Sequence, residues 1–427
     1  MTVVMHLDES PVLALILEKV GEKAKHLTSV WQHQPLDKRH SGRLKFSALS
    51  TRFPLAPVDA LAMWIADMDV VPPACAFEAI NAAMNKSFGY QDTDIRSSVS
   101  RWYNKVHANI GGCLPPDNIV DVTSTIAAVN IALSTLCKRE AQVLVLTPTY
   151  GPLIEAIIQN GMNAIFAPFE KALEKLTPDI SACVLCHPNN PNGEMLSAQT
   201  QADIIDYCEK HDILLVVDEV HSEFGFVNGV PSSISWFGAE VGKAMSDTVI
   251  HINSTVKAFN LAGIPGASFA VIADGKKRRL FSDAINARHL AATPLSKVAL
   301  NAVYEDGEHW LALVREAIGF NRQLVSEYLF YYGIKANVDM GQAGFFLWVN
   351  LVFPSSCNGQ NPNVQNQSEQ NQKHFNPATS YNECIARGVI GNDGSEFGAP
   401  GYARLNLACH PSVIERALNR LFFLNPA

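Results

Sequence analysis

The chain has 427 residues, of which 48% are hydrophobic and 17% are charged, and its formal net charge is −8. This apolar content excludes a disordered chain, and the acidic balance argues against a nucleic-acid-binding protein, which usually presents a basic face. The early apolar run Val12–Leu17 is too short to span a bilayer, and nine scattered cysteines do not suggest a disulfide framework. We therefore expect a cytoplasmic, enzyme-sized protein of two or three domains that binds neither nucleic acid nor membrane.

Residues 1–30 predict an added N-terminal helix. Ser10 is a favourable N-cap, and Pro11 suits the first helical turn. Apolar residues then recur at helical spacing at Val12, Ile16 and Val20. Two interpretations stay open at this point: the helix binds a partner, or it packs on its own subunit.

From Asn118 onwards, short apolar runs alternate with helical stretches, which is typical of an α/β fold with a mostly parallel sheet. The runs predict strands over Ile119–Val122, Val143–Leu146, Ala164–Ala167, Cys183–Cys186, Ile213–Val217, Val249–Ile252 and Ser268–Ile272. The stretches predict helices that include Ile126–Leu136, Leu153–Asn160 and Ala198–Lys210. Ligands of such sheets bind beyond the carboxyl ends of the strands. The candidate site residues are therefore the polar ones after each run, namely Thr123–Thr125, Tyr150, Asn190, Asp218 and Lys257.

After Asp306 the pattern changes to long helices, a few strands and a closing helix, which predicts a second, smaller α+β domain. We expect a large domain over residues 67–307 and a small domain built from 31–66 and 308–427. The small domain carries an insertion at about 355–378, in which ten of the sixteen residues from Cys357 to Gln372 are Asn or Gln. Such a composition cannot bury apolar surface and predicts a surface segment.

Three of the strand-end residues predict a cofactor when they are taken together. Asp218 is a carboxylate at the end of a buried strand and needs a cationic partner. Asn190 offers an amide in a Pro- and Gly-shaped turn. Lys257 lies among apolar neighbours that favour a neutral amine, which suits Schiff-base chemistry. Each signal alone is weak, but a cofactor with an aldehyde, a ring nitrogen, a phenolic oxygen and a phosphate would use them all. That cofactor is pyridoxal 5′-phosphate (PLP).

From about Asp37 to Leu424 the chain resembles the fold-type I PLP enzymes of the class I/II aminotransferase superfamily. Within that superfamily it is most similar to the cystathionine β-lyase (C–S lyase) branch related to MalY and PatB. The segments that carry the resemblance are Met63–Asp69, Phe88-Gly89-Tyr90, Thr147–Tyr150, Pro188–Gly193, Asp218–His221, Lys257–Gly263 and Ala403–Cys409. The fold that it implies is a large domain with a mostly parallel sheet between helices, plus a smaller α+β domain.

The resemblance also implies roles around the cofactor ring. Lys257 would form the Schiff base with the aldehyde and later move protons. Asp218 would keep the pyridine nitrogen protonated, so that the ring can accept electrons from the substrate Cα. Asn190 would donate to the phenolic oxygen, His221 would lie in the same neighbourhood, and Tyr150 would stack on the ring.

The remaining implied roles concern the phosphate, the partner subunit and the substrate. Thr125 and Ile126 would offer backbone N–H groups to the phosphate at a helix N-terminus. Ser254 would add a hydroxyl group, and Tyr90 would reach the phosphate of a neighbouring subunit in a homodimer with shared active sites. Arg404 would bind the substrate carboxylate. Asp67 is a further candidate for substrate binding, and no metal is expected.

Two departures from the superfamily pattern concern the phosphate. The phosphate loop, Thr123-Ser124-Thr125-Ile126, lacks the glycine that many members have. Pro265 stands eight residues after Lys257, where many aminotransferases have an arginine. Neutral donors would then hold more of the phosphate.

Competing interpretations concern single motifs. The run Cys183–His187 has the spacing of a c-type haem attachment site, although two packed thiols on a strand explain it better. The group Asp218, Glu219, His221 and Glu223 resembles a metal site. His221 could also be an inert core histidine, and Arg404 a structural ion-pair partner.

The preferred activity is α,β-elimination from cystathionine or a related S-substituted cysteine, which yields a thiol, pyruvate and ammonia. A transaminase would use the same residues with a keto-acid acceptor. A regulator that kept the fold without the chemistry is the alternative outside enzymes.

Overall fold

The computed structural model describes residues 11–34, 41–86, 89, 91–106, 113–227, 230–232, 235–236, 245–334, 338–352 and 378–423. Ser10, Tyr90 and the Asn/Gln-rich run Cys357–Gln372 lie outside the described residues. The chain divides into two compact units. The larger unit comprises Pro72–Ala312 and Gly341–Gly344, and the smaller unit comprises Met1–Val71, Leu313–Met340 and Phe345–Ala427.

The larger unit is built on a seven-stranded sheet with the strand order β2-β10-β9-β6-β5-β3-β4. Its strands are β2 (Ile119–Val122), β3 (Gln142–Thr147), β4 (Asn163–Pro168), β5 (Ile180–Cys186), β6 (Leu214–Asp218), β9 (Val249–Ser254) and β10 (Ser268–Ile272). A separate hairpin pairs β7 (Gly225–Val227) with β8 (Val230–Ser232). Only β10 runs antiparallel to its neighbours in the seven-stranded sheet. All seven predicted strands are present, and the predicted, mostly parallel α/β sheet is confirmed.

Helices cover both faces of this sheet. They are α5 (Ala74–Lys86), α6 (Arg96–Val106), α7 (Thr125–Leu136), α8 (Gly151–Gln159), α9 (Ala172–Lys175), α10 (Ala198–His211), α11 (Thr255–Ala258), α12 (Gly275–Arg288) and α13 (Pro294–Asp306), with short 3-10 turns at Pro116–Asn118, Phe169–Lys171 and Ser222–Phe224. One core packs α7, α8 and α12 on the sheet, and a second core packs α9 and α10 on the other face. Strand β6 alternates between them, since Val216 lies in the first core and Leu215 and Val217 in the second. Burial on both faces explains the continuous apolar runs.

The strand register determines which residues meet at one edge of the sheet. Strands β5, β6 and β9 are adjacent and parallel, and Asp218 lies opposite Cys186 on one side and Ile252 on the other. The segments that follow these three strands therefore leave the sheet side by side, with Asp218 in the middle.

The smaller unit has a four-stranded sheet, in the order β11-β12-β15-β14, and a parallel pair formed by β1 and β13. Its strands are β1 (Leu61–Ala62), β11 (Val338–Asp339), β12 (Phe346–Asn350), β13 (Val389–Ile390), β14 (Asn392–Asp393) and β15 (Tyr402–Asn406), and a 3-10 turn spans Gly394–Phe397. Its helices are α1 (Pro11–Val20), α2 (Glu22–Ser29), α3 (Leu44–Ser47), α4 (Leu49–Arg52), most of α14 (Glu308–Tyr331), α15 (Tyr381–Ala386) and α16 (Pro411–Phe422).

The N-terminal segment forms two helices, and the first packs against its own chain. Val12, Leu13 and Ile16 of α1 are buried, and α1 contacts the closing helix α16. Lys23 of α2 pairs with Glu316 of α14 at 2.9 Å. Of the two interpretations of this segment, the contacts support packing on its own subunit. None of the helices in the described part of the chain is long and apolar enough to cross a membrane.

Leu215→Ala should destabilise the larger unit, because Leu215 is fully buried in the middle of the sheet. Removing a buried leucine side chain costs about 2–5 kcal/mol of unfolding free energy. Ile158→Ala removes a side chain of the same size from the surface of α8, where Ile158 is 58% exposed, and should change stability little. Urea unfolding followed by circular dichroism measures both. Equal midpoints for the two variants would contradict the sheet core described above.

Candidate active site

The predicted cofactor residues lie at the carboxyl ends of the strands of the larger unit. Asp218 ends β6 and is 1% exposed, and Asn190, in the turn after β5, is 5% exposed. Lys257 lies in α11, directly after β9, and is half-buried. The sheet thus brings these three residues from neighbouring strand ends to one edge, as the sequence predicts.

Asp218 is a buried carboxyl group with few groups that stabilise its charge. Burial above all, and neighbouring Glu219 to a smaller degree, raise its pKa, and the net result of all its contacts is a pKa of about 7. The Val220 N–H, which donates to Oδ1 at 3.1 Å, lowers the pKa, as do the Lys257 ammonium and the Thr125 side chain. The two lowering side chains come from α11 and α7, so both helices bring their first turn towards Asp218. A further cation at this carboxyl group would stabilise its ionised form.

The turn that carries Asn190 is held by hydrogen bonds to other loops. Asn189 Nδ2 donates to Pro148 O at 2.9 Å, which joins the loops after β5 and β3. Gly193 O accepts from the backbone N–H groups of Gln342 and Ala343 at 2.9 and 3.0 Å. These contacts anchor the turn on both sides of Asn190.

Tyr150 lies in the loop after β3 that receives the Asn189 contact. It is half-buried at the N-cap of α8 and packs against the first core of the sheet. The hydrogen bond between the two loops places Tyr150 and Asn190 on adjoining segments. Its predicted stacking on a cofactor ring stays a prediction.

The first turn of α7 has the features of an anion site that the sequence predicts. Ser124 is the N-cap, and its Oγ accepts from Ala127 N at 3.1 Å. Thr125 and Ile126 follow at the first two helical positions, whose N–H groups have no acceptor within a helix. The loop without a glycine therefore still begins a regular helix.

The hydroxyl group of Ser254 is engaged in hydrogen bonds within the protein. It is the N-cap of α11, where its Oγ accepts from Val256 N at 3.1 Å and donates to Ala267 O at 2.8 Å. A hydroxyl group has one proton, so donation to a phosphate would require Ser254 to release Ala267. The structure shows a role in fixing the helix that carries Lys257, and the predicted phosphate contact stays a prediction.

A buried polar network behind the strand ends was not predicted. Glu219 accepts from Ser235 Oγ at 2.7 Å and from Trp236 N at 2.6 Å, and its Oε2 lies 3.1 Å from His251 Nδ1. Burial raises the pKa of Glu219, but these partners outweigh it and leave the pKa below the usual value. Asn253 donates to Tyr103 Oη at 2.6 Å. The sequence signal for this network was the presence of two polar residues, His251 and Asn253, within an otherwise apolar strand.

His221 lies three residues after Asp218 and is buried beside the 3-10 turn Ser222–Phe224. Its predicted place near the phenolic oxygen stays a prediction.

Arg404 lies on β15 of the smaller unit and is 4% exposed. Its Nη2 donates to Trp64 O at 3.0 Å and to Asn392 Oδ1 at 2.6 Å, and both acceptors are neutral. The guanidinium lies 4.3 Å from the ring centroid of Phe346 and 4.9 Å from that of Phe397. These contacts orient the guanidinium through neutral acceptors and aromatic faces.

Asp67 belongs to an ion-pair cluster. Arg43 Nη2 lies 2.9 Å from Asp67 Oδ2 and 3.0 Å from Asp69 Oδ1, and Lys45 Nζ lies 2.9 Å from Asp69 Oδ1 and 3.7 Å from Asp67 Oδ1. Asp67 was predicted to bind substrate, but the structure engages its carboxylate with Arg43 and Lys45. Arg43 and Lys45 were missed because nothing in the local pattern distinguishes them from solvated basic residues.

The haem interpretation of Cys183–His187 is wrong. Cys183 lies in the core on one face of the sheet and Cys186 in the core on the other, so the two thiols point apart. His187 Nε2 accepts from Leu196 N at 3.0 Å. Among the described residues no group of three or more His, Cys, Asp or Glu side chains is arranged to hold a metal ion. In the suggested metal cluster, Glu223 instead accepts from Trp102 Nε1 at 2.8 Å.

A family model described as aminotransferase class I and II matches residues 65–421, which is most of the chain. The chain belongs to the aminotransferase class I and II family. The predicted family and the predicted fold-type I α/β fold are thereby confirmed.

Two curated relatives and one solved structure illustrate what this family member is similar to. Cystathionine beta-lyase PatB of Bacillus subtilis is 24% identical over 85% of this chain and 92% of PatB. Protein MalY of Escherichia coli is 24% identical over 84% of this chain and 90% of MalY. The crystal structure of cystalysin from Treponema denticola, which contains a PLP cofactor, has a TM-score of 0.76 at 20% identity and covers 92% of this chain and 98% of cystalysin. The structural likeness establishes the shared fold.

The stability of the cofactor-free protein should depend on pH through Asp218. Between the ordinary pKa of 3.8 and the raised value of about 7, the folded chain holds a proton on Asp218 that the unfolded chain has lost. Stability therefore falls as pH rises through this window, by up to about 1.4 kcal/mol per pH unit from this group.

Asp218→Asn removes this ionisation and isolates its effect. Relative to the variant, the wild-type protein should lose stability between pH 5 and pH 7 and change no further above pH 8. Urea unfolding of both cofactor-free proteins across this range measures the difference. Parallel stability curves would show that Asp218 ionises at its ordinary pKa.

Proposed function

We propose that the protein is a PLP-dependent C–S β-lyase. It would convert cystathionine or a related S-substituted cysteine, with water, to a thiol, pyruvate and ammonia. The observation that carries this proposal is the convergence of Asn190, Asp218 and Lys257 at adjoining strand ends in a chain of this family. The similarity to PatB, a relative named cystathionine beta-lyase, supports the choice of reaction.

The residues present fit PLP. Asp218 is a buried carboxyl group with a raised pKa, and a protonated pyridine nitrogen is the cation that would stabilise its charge. Asn190 supplies an amide, held in an anchored turn, for the phenolic oxygen, and Tyr150 a ring face. Bound PLP supplies an electron-accepting ring that stabilises negative charge at the substrate Cα.

The N–H groups of Thr125 and Ile126 would bind the PLP phosphate at the N-terminus of α7. Ser254 would hold α11 in place, so that Lys257 keeps a constant position. Arg404 would bind the substrate carboxylate through its guanidinium, with Phe346 and Phe397 fixing its plane.

Lys257 would do the proton chemistry. A neutral Nζ removes the Cα proton, and the thiolate then leaves from Cβ with the electron pair of the C–S bond. The lysine ammonium formed in the first step can return a proton to the departing sulfur. A carboxylate contact at Arg404 would restrict the orientations of the substrate Cα.

We further propose a cytoplasmic homodimer with shared active sites. Phe77 and Met84 lie seven residues apart on α5 and are each 49% exposed, so they share one apolar helix face. A second copy of the chain would cover this face. The predicted contact of Tyr90 with the phosphate of the partner subunit belongs to the same proposal.

The activity assay separates the lyase from a transaminase. Purified protein should be yellow and should release free thiol and pyruvate from cystathionine without any added keto acid. Lys257→Ala should remove the borohydride-sensitive absorbance and lower the rate by at least roughly a hundredfold, whereas Lys276→Ala, at an exposed lysine, should change neither. Product that forms only with 2-oxoglutarate or pyruvate as acceptor would establish a transaminase, and protein that takes up no PLP would refute both.

Arg404→Leu should raise KM for cystathionine about 10–100-fold, because a charged hydrogen-bonding partner of the carboxylate is lost. Arg404→Lys should give a smaller increase, since the ammonium keeps the charge but not the planar pair of donors. Arg279→Leu, at a side chain that is 85% exposed, is the control. Steady-state kinetics measure KM and kcat. An unchanged KM in a folded Arg404→Leu variant would assign the carboxylate to another residue.

A further inference from the structure

The segment Trp64–Asp69 of the smaller unit is held from two sides by side chains of other segments. Arg43 and Lys45 hold it through the ion-pair cluster, and Arg404 and Asn406 of β15 hold it through its carbonyl groups. All of these contacts lie within the smaller unit. The segment is thus the physical link between the ion pairs and Arg404.

Lys45 holds both ends of the segment. Its Nζ lies 2.9 Å from Asp69 Oδ1, and its backbone oxygen accepts from Trp64 Nε1 at 2.8 Å. The Lys45 side chain is fully buried, and that of Asp69 is 1% exposed. A buried ion pair contributes little net stability, since the desolvation of both charges offsets their attraction, but removing one partner alone is strongly destabilising. What the pair does supply is a definite position for the segment.

The charges of the cluster balance. Arg43 adds a second cation and Asp67 a second carboxylate, and Arg43 Nη2 also donates to Met68 O at 3.2 Å. Three consecutive residues, Asp67 to Asp69, are therefore bound by two basic side chains. The two carboxylates of the segment are thus matched by two basic side chains, and the cluster has no net charge that water would have to solvate.

The other side of the segment meets β15. Arg404 Nη2 donates to Trp64 O at 3.0 Å, and Asn406 Nδ2 donates to Ile65 O at 2.7 Å and to Asp67 O at 2.6 Å. Residues two apart on a strand point to the same face, so Arg404 and Asn406 present one surface to the segment. The position of Trp64 O consequently constrains the rotation of the guanidinium.

We propose that Lys45 and Asp69 are positioning residues for substrate binding. They hold Trp64–Asp69 so that Trp64 O, together with Asn392 Oδ1, fixes Nη2 of Arg404 and thereby the plane in which the guanidinium would bind the α-carboxylate of the amino-acid substrate. This inference rests on the role of Arg404 given under the proposed function. Without the pair, the guanidinium would have to be ordered at the moment of binding, which weakens affinity for carboxylate ligands specifically.

Lys45→Met tests the proposal in the PLP-loaded enzyme. KM for cystathionine should rise about tenfold or more, equivalent to about 1.4 kcal/mol of binding, while kcat stays within about threefold. Affinity for L-alanine, measured from the absorbance change of the bound cofactor, should fall by a similar factor, whereas affinity for ethylamine, which lacks a carboxylate, should not change. A merely structural role would lower the melting temperature and the active fraction without this selectivity.

Two further variants keep the test decisive if the single change prevents folding. Lys45→Met combined with Asp69→Leu removes both buried charges and leaves none unpaired, and it should show the same loss of L-alanine affinity. Lys23→Met removes a lysine that is 63% exposed and paired with Glu316 in the same unit, so it should behave as wild type.

Two results would overturn the proposal. A folded double variant that binds L-alanine as tightly as wild type would refute the positioning role while leaving the proposed function intact. A wild-type enzyme that binds L-alanine no better than ethylamine would refute the role of Arg404 itself, and with it this inference.

Discussion

The chemistry of the larger unit depends on the parallel pairing of three adjacent strands. Because β5, β6 and β9 run in one direction, with Asp218 opposite Cys186 and Ile252, the segments after them must leave the sheet together. Asn190 and Lys257 follow their strands by a few residues, so both lie beyond Asp218 rather than beside it. Residues 28 and 39 positions apart in sequence thereby share one edge, and loops anchored on a rigid sheet can hold them to the accuracy that catalysis needs.

Buried charges are compensated to different degrees in the two units. In the smaller unit, Lys45 and Asp69 form a direct ion pair, and Arg43 and Asp67 complete a cluster whose formal charges cancel. In the larger unit, Asp218 is buried with a raised pKa although Lys257 acts on it. This incomplete compensation of the Asp218 charge supports its proposed pairing with the protonated ring nitrogen of PLP. The charges of Lys45 and Asp69 balance each other within the protein, whereas the charge of Asp218 is only partly balanced and can still pair with a bound cation.

Strand positions and strand-end residues could be read from the sequence, because burial on both faces leaves uninterrupted apolar runs and a polar residue marks each end. The antiparallel direction of β10 could not, since apolar runs do not encode direction. The ion pairs of Asp67 could not be read either, because its partners, Arg43 and Lys45, lie more than twenty residues away and show no local pattern. For the same reason the hydrogen bond from Ser254 Oγ to Ala267 O, which joins residues 13 positions apart, became visible only in the structure. The local sequence pattern carries no information on contacts between segments that are far apart in the sequence.

The different roles proposed for residues of the two units help to explain why one fold serves both lyases and transaminases. The roles proposed for the cofactor residues, at the ring, the phosphate and the substrate Cα, are common to both reactions, and removal of the Cα proton by Lys257 would begin either one. The two reactions therefore diverge after that step. Elimination follows when the group on Cβ leaves before the proton is transferred to another atom. A contact that holds the carboxylate in one place determines which bond of Cα stands perpendicular to the ring, and this serves Cα–H cleavage in both reactions, whereas rotation about Cα–Cβ, which the carboxylate leaves free, sets the direction of the C–S bond. The groups that hold the substituent on Cβ, rather than Arg404, would therefore decide between elimination and transamination.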